Sequence, residues 1–370
     1  MPDASTAVLT IDLAAIAENY KILTGQVAPA SCGAALKADA YGLGAAMVAP
    51  VLHRAGCDHF FVATLDEGLA LRPLLPSSRI YILNGLPAGA AETVVAANLI
   101  PVLGTLEQIE GWRHYCGTAL PRPAALMIDS GMSRLGLSEG DMMRLATDPA
   151  LLRGIPVVHA MSHLACSDDE ANPMNVRQLT LYKALIDGFP WPDGAKPTLG
   201  MAASSACFLG TDYHFDLVRP GAALYGLEPM IGRPNPMRPV VGLQGKILQI
   251  RDVDLGMTVG YGATHQFRGR SRLAVIGLGY ADGIFRSLGN RGAVFVAGER
   301  APIVGRISMD LMTADIGHLP SSLCQAGDPV EIIGPHQSVD DLARDAGTIG
   351  YEILTALGSR YQRRYLAAGA

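Results

Sequence analysis

Only five lysines stand in this 370-residue chain, and Lys37 directly follows the short apolar run Ala34-Ala35-Leu36. Three apolar residues are too few for a helix, so the run reads as the buried end of a strand, with turn signals at Gly42 and Gly44 just beyond. An amine desolvated at a strand end holds its proton weakly, which is what Schiff-base chemistry with a carbonyl group requires. A lysine snorkelling from the strand end to water would occupy the same place, and position alone does not separate the two. Other reactive side chains recur just past apolar runs: Tyr41, Asn84, Asp129 with Arg134, His163, Ser204 with Ser205, and Arg219 with Gly221 and Tyr225. The two serines lead into a short helix at Ala206, which would place hydroxyls and N–H groups where a phosphate could bind. Gly221 would let the neighbouring backbone approach that phosphate closely. Singly, each of these is an ordinary loop cap, core histidine or surface arginine; their recurrence at the same end of successive runs makes that reading weaker.

The elements that must position them keep a regular rhythm. Apolar runs fall at residues 32–37, 60–64, 79–84, 99–103, 124–129, 156–161, 197–201 and 215–218, and most gaps hold a helix, such as 45–55, 65–72, 88–97, 106–115 and 175–188. Eight strands alternating with helices predict an α/β chain with a (β/α)8 TIM-like barrel, whose active site gathers at the C-terminal strand ends. An open Rossmann-type sheet is the alternative, but no Gly-x-Gly-x-x-Gly follows the first strand. The rhythm breaks in a proline-rich linker at 231–239. Short β-type runs separated by glycine and proline come next, predicting a smaller all-β domain with a mostly helical or irregular tail over 338–359. The expected division is an N-terminal strand over 1–11 packing on the C-terminal domain, a barrel over 12–232, and a β-rich domain over 233–370.

Composition narrows the function classes. Hydrophobic content of 49% with 17% charged residues describes a well-cored globular protein. A net charge of −5 and no basic run argue against nucleic acid. No apolar run is long enough to cross a bilayer, and residues 1–6 carry neither a basic n-region nor an apolar h-region, so no secretory leader is expected. Cys32, Cys57, Cys116, Cys166, Cys207 and Cys324 are scattered without metal-ligand spacing, which reads as reduced thiols in a cytoplasmic protein that binds no metal.

The string Lys37-Ala38-Asp39-Ala40-Tyr41-Gly42-Leu43-Gly44 resembles the cofactor attachment site of the alanine racemase family, pyridoxal-phosphate enzymes of fold type III. The likeness continues through 128–136, Met161-Ser162-His163, Arg219-Pro220-Gly221, 259–265, 279–286, 304–310 and Gly350-Tyr351, so it covers nearly the whole chain. It implies that Lys37 carries pyridoxal 5'-phosphate and that Tyr41, Ser205, Gly221, Ala222 and Tyr351 hold the phosphate. It further implies that His163 packs on the ring and Arg219 faces the pyridine nitrogen. An arginine only donates, so it would leave that nitrogen unprotonated and the cofactor a weaker electron sink.

By the same resemblance, Arg134 binds the substrate carboxylate or the cofactor's phenolic oxygen, and Met309 offers a backbone N–H. Lys37 and Tyr261 are the two acid/base groups on opposite faces of Cα, with Tyr280, Arg286 and Asp310 in support. The implied protein is a homodimer in which the C-terminal domain completes the partner's site. The implied activity is interconversion of L- and D-alanine, supplying D-alanine for peptidoglycan; a broad-specificity or serine racemase of the same fold is the alternative. A decarboxylase of this fold would need a carboxylate where Arg219 stands. A non-catalytic cofactor carrier would not need the domain holding Tyr261, and a cofactor-free aldolase would not need the phosphate residues. Three departures stand out: Leu43 stands where the attachment motif often has histidine, Met127 occupies a place where many members carry a modified lysine that orients the arginine, and Ser204 stands where asparagine is common.

Overall fold

The computed structural model describes residues 5–117 and 121–367, which form two compact units. The larger comprises residues 16–40 and 44–238. Its strands Ala34–Ala35, His59–Val62, Arg79–Ile82, Ile100–Leu103, Ala124–Met127, Val157–Met161 and Thr198–Gly200 form one parallel sheet in sequence order. The eighth strand, Leu217–Val218, pairs in parallel with Ser31–Cys32. Backbone bonds close the ring on both sides of it, from Asp216 N–H to Leu199 O at 3.0 Å and from Ala35 N–H to Pro220 O at 2.8 Å. The expected barrel is therefore formed. Its strands are buried on both faces, and Phe60, Phe61, Tyr81, Ile82 and Leu126 are fully enclosed, as a parallel sheet covered by helices requires.

Most helices start where side chains can cap them. Thr64 and Glu67 form a capping box on Leu65–Leu71, and Asn172 caps Pro173–Ile186. A helix that apolar periodicity does not predict, Glu139–Thr147, begins at a second capping box, Ser138 with Asp141. Its hydrophobic stripe is thin: Met142 and Leu145 are its buried residues, so period alone does not expose it.

Among the described residues, the second unit holds 5–15, 41–43 and 239–367. Its centre is the 13-residue strand Val241–Val253. One part of this strand pairs antiparallel with Ala7–Asp12 and Pro329–Ile333; after a register shift between Ile247 and Gln249 the rest pairs with Ser271–Ile276. Gln362–Leu366 adds a parallel edge to Ala7–Asp12. The compact units divide at 15/16 and 238/239, and the start of the helix Leu13–Val27 stays with the strand it continues. The segment 233–238 stays with the barrel, where the buried Asn19 side chain bonds both the N–H and the C=O of Arg238. Residues 41–43 belong to this unit because Arg363 and Tyr365 bond the Gly42 and Leu43 carbonyls at 2.8 and 3.0 Å.

Candidate active site

Lys37 stands at the C-terminal end of the first barrel strand, and the backbone just beyond it is unusual. Ala38, Asp39, Ala40 and Tyr41 all have φ between 53° and 57°, one turn of left-handed backbone in non-glycine residues. Such a conformation costs about 1–2 kcal/mol per residue and persists only where surroundings over-determine it. Here they do. The Glu67 carboxylate accepts from Ala38 N–H at 2.6 Å and from Ala63 N–H at 2.7 Å, tying the turn to the end of the second strand. The Asp39 carboxylate accepts from Ala45 N–H at 2.7 Å, and Ala40 N–H reaches Leu36 O. Beneath the turn, Tyr225 is fully buried and its hydroxyl donates to Ala35 O at 2.9 Å. Tyr225 thus braces the lysine's strand from the core and does not line the rim.

Lys37, Arg134, His163 and Arg219 form one electrostatic cluster. Burial first, then the Arg134 guanidinium and more weakly Arg219, push the Lys37 amine below its usual range, against an opposing pull from Glu67. His163 is driven down to about 3 by burial, with Arg219, Arg134 and Lys37 adding to it, so its ring is neutral at physiological pH. Arg219 is buried at 6% exposure and donates from Nη2 to Ser162 O at 2.6 Å. Burial lowers it to about 10, and no carboxylate contributes to that balance.

The Arg134 loop is closed on itself. Leu137 N–H donates to Met127 O and Asp129 N–H to Leu137 O, at 2.8 and 3.0 Å, so the loop returns to the strand it left. Inside it the Asp129 carboxylate accepts from Gly131, Met132 and Ser133 N–H. Asp129 is therefore the loop's organiser, and Arg134 is presented by backbone closure with Met127 buried beneath. The His163 loop is held in a like manner: fully buried Gln178 donates to His163 O and accepts from Ala165 N–H.

Ser205 and Ala222 open two short 3-10 helices, Ser205–Phe208 and Ala222–Tyr225, where N–H groups lack intrahelical partners. Ser204 joins these loops: its buried hydroxyl accepts from Gly221 N–H at 2.9 Å and Ala223 N–H at 3.1 Å. The Gly221 N–H, expected to meet a phosphate, is thus already engaged by Ser204.

In the second unit, Tyr41 and Tyr351 lie with ring centroids 6.1 Å apart, and burial raises the Tyr41 phenol. Tyr261 is 73% exposed at the tip of a hairpin, between Gly260 and Gly262. Arg306 packs beneath that turn, and Asn290 ties it down by bonding both Thr264 Oγ1 and Gly305 N–H. Tyr280 N–H and Ala281 N–H donate to Ser308 O and Met309 O at 3.0 Å. A Cβ at Gly279 would lie 2.3 Å from Met309 O, so only glycine allows this approach. Arg360 clamps Asp282 through Nε and Nη2 and Asp310 through Nη1, at 2.7–2.8 Å. Tyr280, Arg286 and Met309 are exposed on this unit.

Sequence reasoning passed over Glu67, Gln178 and Arg360, and took Arg306 only as part of the 304–310 likeness. For Glu67 the signal existed in Thr64-x-x-Glu67, a capping box preceding an apolar run; Gln178 and Arg360 carry no local signature.

Residues 11–229 match the family model "Alanine racemase, N-terminal domain" and residues 240–365 match "Alanine racemase, C-terminal domain". An alanine racemase of Rhodospirillum rubrum is 48% identical over 366 residues, covering 98% of this chain and 96% of its own. One from Brucella abortus is 46% identical over 379 residues, covering 98% and 94%. The crystal structure of alanine racemase from Bartonella henselae with covalently bound pyridoxal phosphate superposes with a TM-score of 0.94 at 42% identity, covering 98% of this chain and all of that one.

Proposed function

The chain belongs to the alanine racemase family, and from that premise we propose that it interconverts L-alanine and D-alanine with pyridoxal 5'-phosphate at Lys37. The observation that carries the reading is the cluster at the barrel's strand ends: an amine held below its usual range beside His163, Arg134 and Arg219.

These residues fit the cofactor. Lys37 offers an amine that sheds its proton readily. Arg219 has five donors, of which Nη2 is engaged with Ser162, so it has N–H groups left for a ring nitrogen that offers a lone pair. Neutral His163 can lie against an aromatic ring without adding charge. The Ser205 and Ala222 N–H groups, which open the 205–208 and 222–225 turns, would hold the phosphate. When bound, the cofactor supplies a covalent anchor for the substrate's amino group and a π-system that accepts the electron pair left at Cα.

The chain's own residues do the rest. Arg134 binds the substrate carboxylate, assisted by Met309 N–H of the second protomer. Lys37 Nζ moves a proton to or from Cα on one face, and Tyr261 does so on the other. Two groups of opposite placement are needed because a proton removed and returned on the same face leaves the configuration unchanged. Tyr261 would act in the site of a partner protomer, with Tyr280, Arg286 and Asp310 supporting it. Its 73% exposure supports this, since a base that works must be enclosed by something. The proposal places the homodimer in the cytoplasm, supplying D-alanine for peptidoglycan. In support, the six cysteines are all free thiols, and among the described residues no helix is long and apolar enough to cross a membrane.

Incubation with D-alanine should yield L-alanine, followed through a coupled dehydrogenase, and activity should rise when pyridoxal phosphate is added to resolved protein. No L-alanine under either condition would overturn the proposal.

A further inference from the structure

His159 is fully enclosed in the barrel and Arg219 nearly so, and each has a polar atom without a hydrogen-bond partner: Arg219 Nη1 and His159 Nε2. Both side chains crowd the same spot over Gly200, where a Cβ would lie 3.2 Å from Nη1 and 2.8 Å from the His159 ring at Cε1. Two orphaned polar atoms side by side in an interior are rare, because each costs a desolvation penalty unless something satisfies it.

The hydrogen bonds on the other ring nitrogen decide what His159 offers. Nδ1 lies 3.0 Å from Thr198 O and 2.9 Å from Thr198 Oγ1. A carbonyl can only accept. The threonine hydroxyl already donates its proton to Val158 O at 3.0 Å, so it too accepts. Nδ1 must therefore carry the hydrogen. Charging the ring would place a second cation beside Arg219 in the interior, and burial together with Arg219 keeps the imidazole neutral. A neutral ring protonated at Nδ1 has a bare lone pair at Nε2. The remaining ring neighbours, Phe61 and Tyr81 at centroid distances of 6.3 and 6.0 Å, present aromatic surface. Phe61 also lies under the guanidinium, with Arg219 Cζ 5.9 Å from its centroid.

We propose that His159 is a positioning residue for Arg219: its bare Nε2 accepts from one bridging water that in turn accepts from Arg219 Nη1, and this link fixes the guanidinium plane from within the barrel. With Nη2 on Ser162 O and Nη1 bridged to His159, the guanidinium would be held from two sides, leaving its other N–H groups for the strand-end site. The inference rests on the cofactor reading above, since it is toward a pyridine nitrogen that the plane would be aimed.

The test uses holoenzyme labelled with 15N in histidine. The His159 signals should show a protonated Nδ1 and a bare, pyridine-type Nε2 from pH 6 to 9. Two variants add a functional readout: His159→Gln, which puts an acceptor oxygen near the Nε2 position, and His159→Leu, which has none. We expect His159→Leu to hold pyridoxal phosphate about tenfold more weakly, as loss of one buried hydrogen bond implies. His159→Gln should stay within about threefold of the parent protein. A protonated Nε2, equal weakening in both variants, or no weakening in His159→Leu would overturn the proposal. If the chain bound no pyridoxal phosphate, the cofactor reading would fall, and the His159 tautomer in the unloaded protein would still decide the pairing with Arg219.

Discussion

Burial beside two guanidinium groups sets the chemistry of Lys37, since a second positive charge is costly there and the amine gives up its proton more readily than a free lysine. Capture of an aldehyde should result: borohydride reduction of the holoenzyme, then peptide mapping, should place the cofactor on Lys37, and a label on another lysine would refute the assignment. His163 obeys the same electrostatics with a different readout. Its folded pKa of about 3 lies below the ordinary 6.5, so between those values the unfolded chain binds more protons than the folded one. Stability tied to His163 is therefore intact above about 6.5 and is lost as pH falls toward 3. His163→Phe keeps a ring of similar size and cannot titrate. The melting temperature of that variant relative to the parent should rise as pH is lowered from 6.5 and stay level above it; a difference independent of pH would show that the ring is not held neutral.

Among the elements, the left-handed turn after Lys37 carries the most strain and is secured at both ends. Glu67 grips its start through Ala38 N–H, and Gly42 anchors its far end at φ +81°, where a Cβ would sit 2.6 Å from Leu354 O. Charge-assisted bonds to backbone N–H groups are worth about 1.5–3 kcal/mol, enough to offset the cost of one or two left-handed residues. Glu67→Ala should therefore destabilise the protein by about 2 kcal/mol in chemical denaturation and lower kcat more than it raises KM, because Lys37 loses its registration. Glu67→Gln retains an acceptor oxygen and should lie between the two. A Glu67→Ala variant with unaltered kcat would show that the turn holds Lys37 without it.

For the whole molecule, the decisive matter is that Lys37 and Tyr261 lie in different units of the chain. If each site takes Lys37 from one protomer and Tyr261 from the other, Lys37→Ala and Tyr261→Ala should both be nearly inactive alone. Refolded together in equal amounts, roughly half the dimers are mixed, and each mixed dimer has one site with both substitutions and one with neither. Activity should recover to about a quarter of the parent's. Were Tyr261 to act within its own chain, every site would keep one defect, so absence of recovery with mixed dimers confirmed by tagging would refute the shared site.

Periodicity and punctuation in the sequence determined the order of the elements. Strands at Arg79–Ile82 and Ala293–Val296 and the helix Leu13–Val27 stand where apolar runs, glycines and caps placed them, because period and burial of a face are local properties. The residue types at strand ends likewise marked Lys37, Arg134, His163 and Arg219. Tertiary structure alone decided their partners. The Glu67 carboxylate closes on Ala38, 29 residues away, and the Ser204 hydroxyl takes the Gly221 N–H, 17 residues away. Asp129 proved to organise its loop and Tyr225 to brace a strand, although both read as rim residues. A side chain's role depends on which donors and acceptors barrel closure brings to it, and those lie on strands that sequence neighbours do not specify.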